Sequence, residues 1–277
     1  MDIRPILRTH APWLRLETLT EIQSGWDSAV YEADGEWIFR FPRRPDVVDW
    51  TKAEAALLPE LAPRLPAPVP DFEVVVFDTV NFVGYRKLEG EPLAPGTESG
   101  SLGAALGSFL SSVHGFPVAR AHEIVPRDWW TERRAVLDAF RKRVLPLLEE
   151  GERPFGRALL ETARAAHFQP ALIHGDLAPE HVLHRGSELT GVIDWSDARV
   201  GDPAIDVAWA LYSVGTSFAD ALAHAYGIDD VLRQRGLVFH KLGPWHEALY
   251  GLDTGRRELV ASGLAGIRER LNLTLSN

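Results

Sequence analysis

The stretch "HGDLAPEH" at residues 174–181 and the stretch "DWSD" at 194–197 concentrate carboxylates and imidazoles between apolar runs. Ala171-Leu172-Ile173 precedes the first and Val182-Leu183 follows it. The intervening "VLHRGSELTGVI" reads as strand, turn, strand, with Gly186-Ser187 at the turn. A hairpin of that length returns its second end to its first, so Asp176, His181 and Asp194 should converge. Two carboxylates brought together in this way suit phosphoryl transfer. One of them, Asp176 in its loop, accepts or orients the proton of an attacking hydroxyl. The other, Asp194 at a strand end, holds a Mg²⁺ ion that bridges phosphate oxygens.

Elements must be found to position this loop. "SAVYEADGEWIFRF" (28–41) reads as two short strands joined at Asp34-Gly35, ended by Pro42. "WTKAEAALLPELAPRL" (50–65) has helical apolar spacing, closed by the stiff "PAPVP" at 66–70. "FEVVVFD" and "NFVGYRKL" follow as strands around a turn at Asp78-Thr79. A small sheet with a single helix therefore ends near Leu88. A loop spans 89–100, and helices are expected over 101–114, 128–150 and 155–167 and again after 203. The expected class is α+β, with a small N-terminal β-sheet lobe at 1–88 and a larger, mainly helical lobe at 89–277.

Composition narrows the function. With 29 Lys and Arg against 39 Asp and Glu, a net charge of −10 argues against nucleic acid as a partner. The absence of cysteine removes disulfides, thiolate metal sites and Cys nucleophiles. His174, His181 and His184 lack the helical H-E-x-x-H spacing of a zinc site. No G-x-x-x-x-G-K-[ST] and no G-x-S-x-G occurs, which sets aside P-loop nucleotidases and serine hydrolases. Without a signal-like or membrane-spanning apolar run, a cytoplasmic location and no membrane partner are expected.

The segments "HGDLAPEHVL" and "GVIDWSDARVGDPAIDVAWAL" resemble the aminoglycoside phosphotransferase family of antibiotic kinases, in particular its 2″-aminoglycoside and macrolide branches. "EWIFRFPRRPDVV", "AEAALLPEL", "GYRKLEGEPL", "GSFLSSVHG" and "ALYGLDTGRREL" carry the likeness in the same order along nearly the whole chain. The resemblance implies a bilobal protein-kinase-like fold and an enzyme moving the γ-phosphoryl group of ATP or GTP, with Mg²⁺, to a hydroxyl of a small molecule. Asp176 would be the catalytic carboxylate, Asp194 would bind the metal, and His181 would stand beside the second metal position. His174 and Asp206 would brace the loop. Arg40, where many relatives carry Lys, would be the phosphate-binding strand residue and Glu54 its partner. Ser24, Gly25 and Ser28 would lie in the nucleotide-covering loop, and Arg86 and Leu88 would offer backbone groups to the nucleobase. An aminoglycoside is the expected acceptor. A macrolide and a small amino alcohol or sugar are the alternatives, and a monomer is expected.

Overall fold

The computed structural model describes residues 2–24, 27–125 and 127–273. The chain begins with helix α1 (Arg4–His10) and the strands β1 (Leu19–Ser24), β2 (Ser28–Ala33) and β3 (Trp37–Pro42). Helix α2 (Pro45–Leu61) and strands β4 (Phe72–Phe77) and β5 (Asn81–Arg86) complete the first part. The five strands form one antiparallel sheet in the order β1-β2-β3-β5-β4. A short strand β6 (Glu91–Pro92) leads into helices α3 (Gly100–His114), α4 (Val118–Ile124), α5 (Trp129–Ala139) and α6 (Arg153–Ala165). Next come β7 (Ala171–Ile173), β8 (Val182–Arg185), β9 (Glu188–Val192) and β10 (Arg199–Gly201). Helices α7 (Ala204–Tyr212), α8 (Thr216–Tyr226), α9 (Asp230–Thr254) and α10 (Arg257–Leu271) close the fold. This is the expected architecture: an N-terminal antiparallel sheet and a larger helical part. Among the described residues, no single helix is long and apolar enough to cross a membrane.

Strand β3 explains how the sheet orients a functional residue. Its side chains alternate in direction. Trp37, Phe39 and Phe41 enter a core with Ile3 and with Leu7 of α1, where Ile3 immediately precedes the helix, while Arg40 reaches Glu54 of α2 on the opposite face. Each fully buried aromatic there is worth roughly 1.5–3 kcal/mol of apolar transfer. Gly84 lies directly across from Phe39 on β5, and the Phe39 ring fills the space that a Cβ would take. Any side chain at this position would meet the Phe39 ring and force it out of its place in the core.

Several expected boundaries move. Helix α2 begins at Pro45, whose fixed φ and missing N–H suit a first helical position, and ends at Leu61 ahead of a 3₁₀ turn, Ala62–Arg64. The helix expected over 128–150 stops at Ala139. A π-helical turn (Phe140–Val144) and a 3₁₀ turn (Leu145–Leu147) replace its end, and Pro146, which has no N–H to give to a helical ladder, lies in the second of them. The sheet part holds α1 in addition to the one helix expected there. Strand β1 and helix α4 are likewise additions to the sequence reading.

Two cores fill the helical part. One joins α3, α7 and α8 with Leu172, Val182 and Val192 from the central strands and Trp195 from the loop after β9. The other packs the end of α5 and α6 against Leu242 and Trp245 of α9 and Ile267 of α10. The first core underlies the "HGD" and "DWSD" loops directly. Those loops therefore rest on packed strands, not on solvent.

Candidate active site

The β8–β9 hairpin forms as the sequence suggests, with Val182 paired to Val192. Across its base, Ile193 N–H donates to His181 C=O at 2.9 Å. His181 Nδ1 donates to Asp176 C=O at 2.7 Å, which leaves Nε2 facing Asp194 Oδ2 at 3.7 Å. Asp194, at φ +65°, occupies a left-handed conformation that a non-glycine residue adopts at a cost of order 1–3 kcal/mol. Its carboxylate is half open to the cleft, with 45% of the side chain exposed.

Asp194 is the meeting point of the two parts of the chain. Arg40 Nη2 lies 3.3 Å from its Oδ1, and Ser196 Oγ donates to the same oxygen at 3.0 Å. Burial alone would raise the Asp194 carboxyl, but Arg40, then His181 and His174, hold it below the usual carboxylate range. Arg40 Nη1 donates to Glu54 Oε1 at 2.7 Å, and the Trp195 N–H donates to that same oxygen at 3.2 Å. The two side chains are 8% and 0% exposed. Burial would lower the Arg40 guanidinium, yet Glu54 and Asp194 outweigh it and keep it charged. At Glu54 burial dominates and pushes the carboxyl up, with Arg40 offsetting part of that rise.

The "HGD" loop is held from below. Asp206, buried at the start of α7, accepts the His174 N–H at 2.7 Å and the Gly175 N–H at 2.9 Å. His114 Nε2 adds a third bond at 3.1 Å. Burial would raise this carboxyl, but His114 outweighs it and Asp206 sits below the usual range. His174 Nε2 donates to Ile193 C=O at 2.9 Å, tying the loop to the segment after β9 that carries Asp194. Gly175 has φ +86°, and a Cβ there would run into the Asp197 carbonyl, so no other residue lets the two loops pass so closely.

Asp176 projects from this support into the cleft. Its carboxylate has no hydrogen-bond partner among the described residues. The enclosing cleft walls raise its pKa most, followed by the charge of Asp197. His181 opposes this and Asp194 adds to it, so the carboxyl is pushed up to about 7. A cavity of about 590 Å³ opens beside it, with Trp50, Trp129, Glu132, Arg133, Asp197 and His246 among its walls. Four of the surrounding charges close on one another. Arg127 bonds to Glu132 and to Asp197 at 3.1 Å, and Arg199 contacts the same two carboxylates.

The remaining sequence-expected residues divide. Ser28 begins β2 and is buried, its hydroxyl without a hydrogen-bond partner among the described residues. Ser24 ends β1, its backbone paired with Ala29. The Ser24 side chain and Gly25 lie outside the described residues. Arg86 ends β5 with its side chain on the outer surface, over the Trp37 ring at 4.8 Å. Its backbone is different. The Lys87 N–H donates to Glu36 C=O at 2.8 Å, so by antiparallel alternation the Arg86 N–H and C=O face away from β3. The Leu88 N–H and C=O have no partner among the described residues, and its side chain covers Gly191. Arg40, Glu54, Asp194, His181 and Asp176 thus share one cleft, with the 86–88 connector at its edge. Sequence spacing missed Ser196, Arg127, Glu132, Arg133 and Arg199, whereas Asp197, in "DWSD", stands out in the sequence as a candidate substrate contact.

Among the described residues, no group of three or more His, Asp or Glu side chains is arranged to hold a metal by itself. One ionised carboxylate, an imidazole nitrogen and open space suit a Mg²⁺ ion that takes most of its oxygens from phosphates and water.

Residues 18–237 match the model of the Phosphotransferase enzyme family, APH. Viomycin phosphotransferase from Streptomyces vinaceus is 27% identical over 248 residues, 83% of this chain and 82% of the relative. The GDP and kanamycin complex of APH(2")-IIia superimposes with a TM-score of 0.86 at 26% identity, over 96% of this chain and 97% of the other. The macrolide 2'-phosphotransferase MphH from Brachybacterium faecium, as apoenzyme, gives 0.74 at 26% identity, over 99% and 97%.

Proposed function

The chain belongs to the phosphotransferase enzyme family, and from that premise we propose that it is a small-molecule kinase moving the γ-phosphoryl group of ATP or GTP to an acceptor hydroxyl. The observation that carries the reading is the contrast between two carboxylates in one cleft. Asp194 is held ionised beside Arg40, and Asp176 is raised to about 7 without a partner. Groups of one type pushed apart in this way can take separate roles.

In this reading the connector is the boundary near Leu88 between a nucleotide-binding lobe, 1–88, and a catalytic and acceptor lobe, 89–277. The Arg86 and Leu88 backbone groups meet the nucleobase, and Ser24, Gly25 and Ser28 border the phosphates. Arg40, positioned by Glu54, neutralises phosphate charge. Asp194, with His181 beside it, would hold Mg²⁺, which would supply charge neutralisation when bound. The acceptor hydroxyl sits at Asp176. Its oxygen forms the new bond to γ-phosphorus as the bridging bond to the β-phosphate breaks. The hydroxyl proton passes to the Asp176 carboxylate, and the nucleoside diphosphate leaves.

The cavity beside Asp176 bears on the acceptor. A polycationic aminoglycoside needs several unpaired carboxylates, whereas Glu132 and Asp197 are already occupied by Arg127 and Arg199. This favours the less cationic alternatives, a macrolide or a small hydroxylated metabolite. The test is nucleotide consumption with Mg²⁺ against aminoglycosides, macrolides, cyclic peptide antibiotics, amino alcohols and sugars. Turnover lost in Asp194→Ala supports the reading. Full turnover in that variant rejects the metal role of Asp194.

A further inference from the structure

Among the described residues, two charges of the cavity walls have no partner. One is the Asp176 carboxylate, the other the Arg133 guanidinium. Among the described residues Arg133 makes no hydrogen bond and no ion pair; it lies over the Phe239 ring, 4.5 Å from its centroid. The other cations of the wall, Arg127 and Arg199, are spent on Glu132 and Asp197. Burial lowers the Arg133 pKa to about 10, with Asp202 opposing the fall, so it remains a cation at neutral pH. A desolvated guanidinium resting on an aromatic face, with its donor fork unused, is a site for a planar anion.

Arg133 and Trp129 are also shared with a second cavity of about 460 Å³, where Trp130, Phe168 and Phe239 add aromatic walls. The Trp130 and Phe168 rings stack with centroids 5.0 Å apart. Arg134 and Arg164 stand at this cavity as well, and its one carboxylate, Asp202, is paired with Arg235 at 3.1 Å. The space beyond Asp176 is therefore aromatic and short of free negative charge.

We propose that the acceptor carries an anionic group, a carboxylate or its equivalent, bound by Arg133 while its hydroxyl lies at Asp176, with its apolar body against Trp129 and Phe239. This rests on the phosphotransferase reading and names the acceptor class for the same site. The transfer step is unchanged, since the anionic group takes no part in bond making.

The test is calorimetric titration of the nucleotide-loaded protein with three matched probes: 3-phenyllactate, its neutral amide, and the amine 2-amino-3-phenylpropan-1-ol. The acid is expected to bind about tenfold or more tightly than the amide, the value of one charge-assisted hydrogen bond. Arg133→Met should abolish that preference, and Arg133→Lys should restore part of it. Melting curves of both variants verify the fold. Equal or tighter binding of the amide or amine to the unmodified protein would overturn the proposal. So would the absence of saturable acid binding, or an acid preference that survives in Arg133→Met. A separate nucleotide titration distinguishes the two levels: loss of nucleotide binding in the unmodified protein counts against the phosphotransferase reading, whereas nucleotide binding without acid preference counts against the anionic acceptor alone.

Discussion

Glu54→Ala separates what the Arg40–Glu54 pair does for stability from what it does for activity. Glu54 Oε1 accepts from Arg40 at 2.7 Å and from the Trp195 N–H at 3.2 Å, with both side chains nearly sealed from water. Removing one partner of a buried ion pair costs about 3–5 kcal/mol, because the surviving charge stays desolvated. Asp194, 3.3 Å from Arg40, remains and blunts the loss, while the freed Trp195 N–H adds to it. We expect about 4 kcal/mol, which for a chain of this size lowers the melting temperature by about 8 °C. The double variant Arg40→Met/Glu54→Leu removes both charges at similar volume. It should recover all but about 1–2 kcal/mol, the residue of an unpaired Trp195 N–H. Its KM for nucleotide should nevertheless rise at least tenfold, as one charge-assisted phosphate contact is lost. Thermal melts and steady-state kinetics on the single and double variants decide the matter. A double variant as unstable as Glu54→Ala would show that the pair is not the source of the loss. One with an unchanged nucleotide KM would remove Arg40 from the phosphate site.

Three further outcomes are expected. Asp176→Asn should lower kcat by about 10²-fold or more, the contribution of a positioned acid–base group, with nucleotide affinity changed less than twofold; an equal fall in affinity would make Asp176 structural. The Asp176 carboxyl is raised to about 7 and must be ionised to take the proton, so kcat/KM for the acceptor should climb with pH through about 7 and level off above it. A profile flat from pH 5.5 to 8 would contradict this. Asp206 is held below the ordinary aspartate value of 3.8, so its contribution to stability is complete above that value and fades as pH falls through the lower folded one. Asp206→Asn should therefore shrink the acid-induced drop in melting temperature and cost about 2–4 kcal/mol near neutral pH, because one of two buried loop N–H groups then faces an amide NH₂. Melts at pH 3 to 7 compare the two proteins.

Parts of the fold were legible because local signals there agree with the tertiary outcome. The Asp34-Gly35 pair marked the turn between β2 and β3, and the Gly186-Ser187 turn brought His181 back to Asp194. Other parts carried no such signal. Helix α1 has only seven residues, too short to persist alone, and exists because Ile3 and Leu7 pack under Trp37 and Phe39. Strand β1, "LTEIQS", is a polar edge strand completed by pairing with β2. The 128–150 segment keeps helical periodicity past Ala139, where the backbone changes to π-helical and 3₁₀ turns that the side-chain pattern does not announce.

By itself the sequence determined the order of elements and the short-range constellation of Asp176, His181 and Asp194, since a hairpin closes those distances within one loop. Only the tertiary structure decided which distant groups surround them. Arg40 joins Asp194 from the other end of the chain, and Asp206 reaches back beneath His174. The same holds for the charge of the cavity. Four of its ionised groups cancel through contacts made in folding, and Arg133 is left over, a distinction set by geometry in a low-dielectric space and invisible to a count of acids and bases.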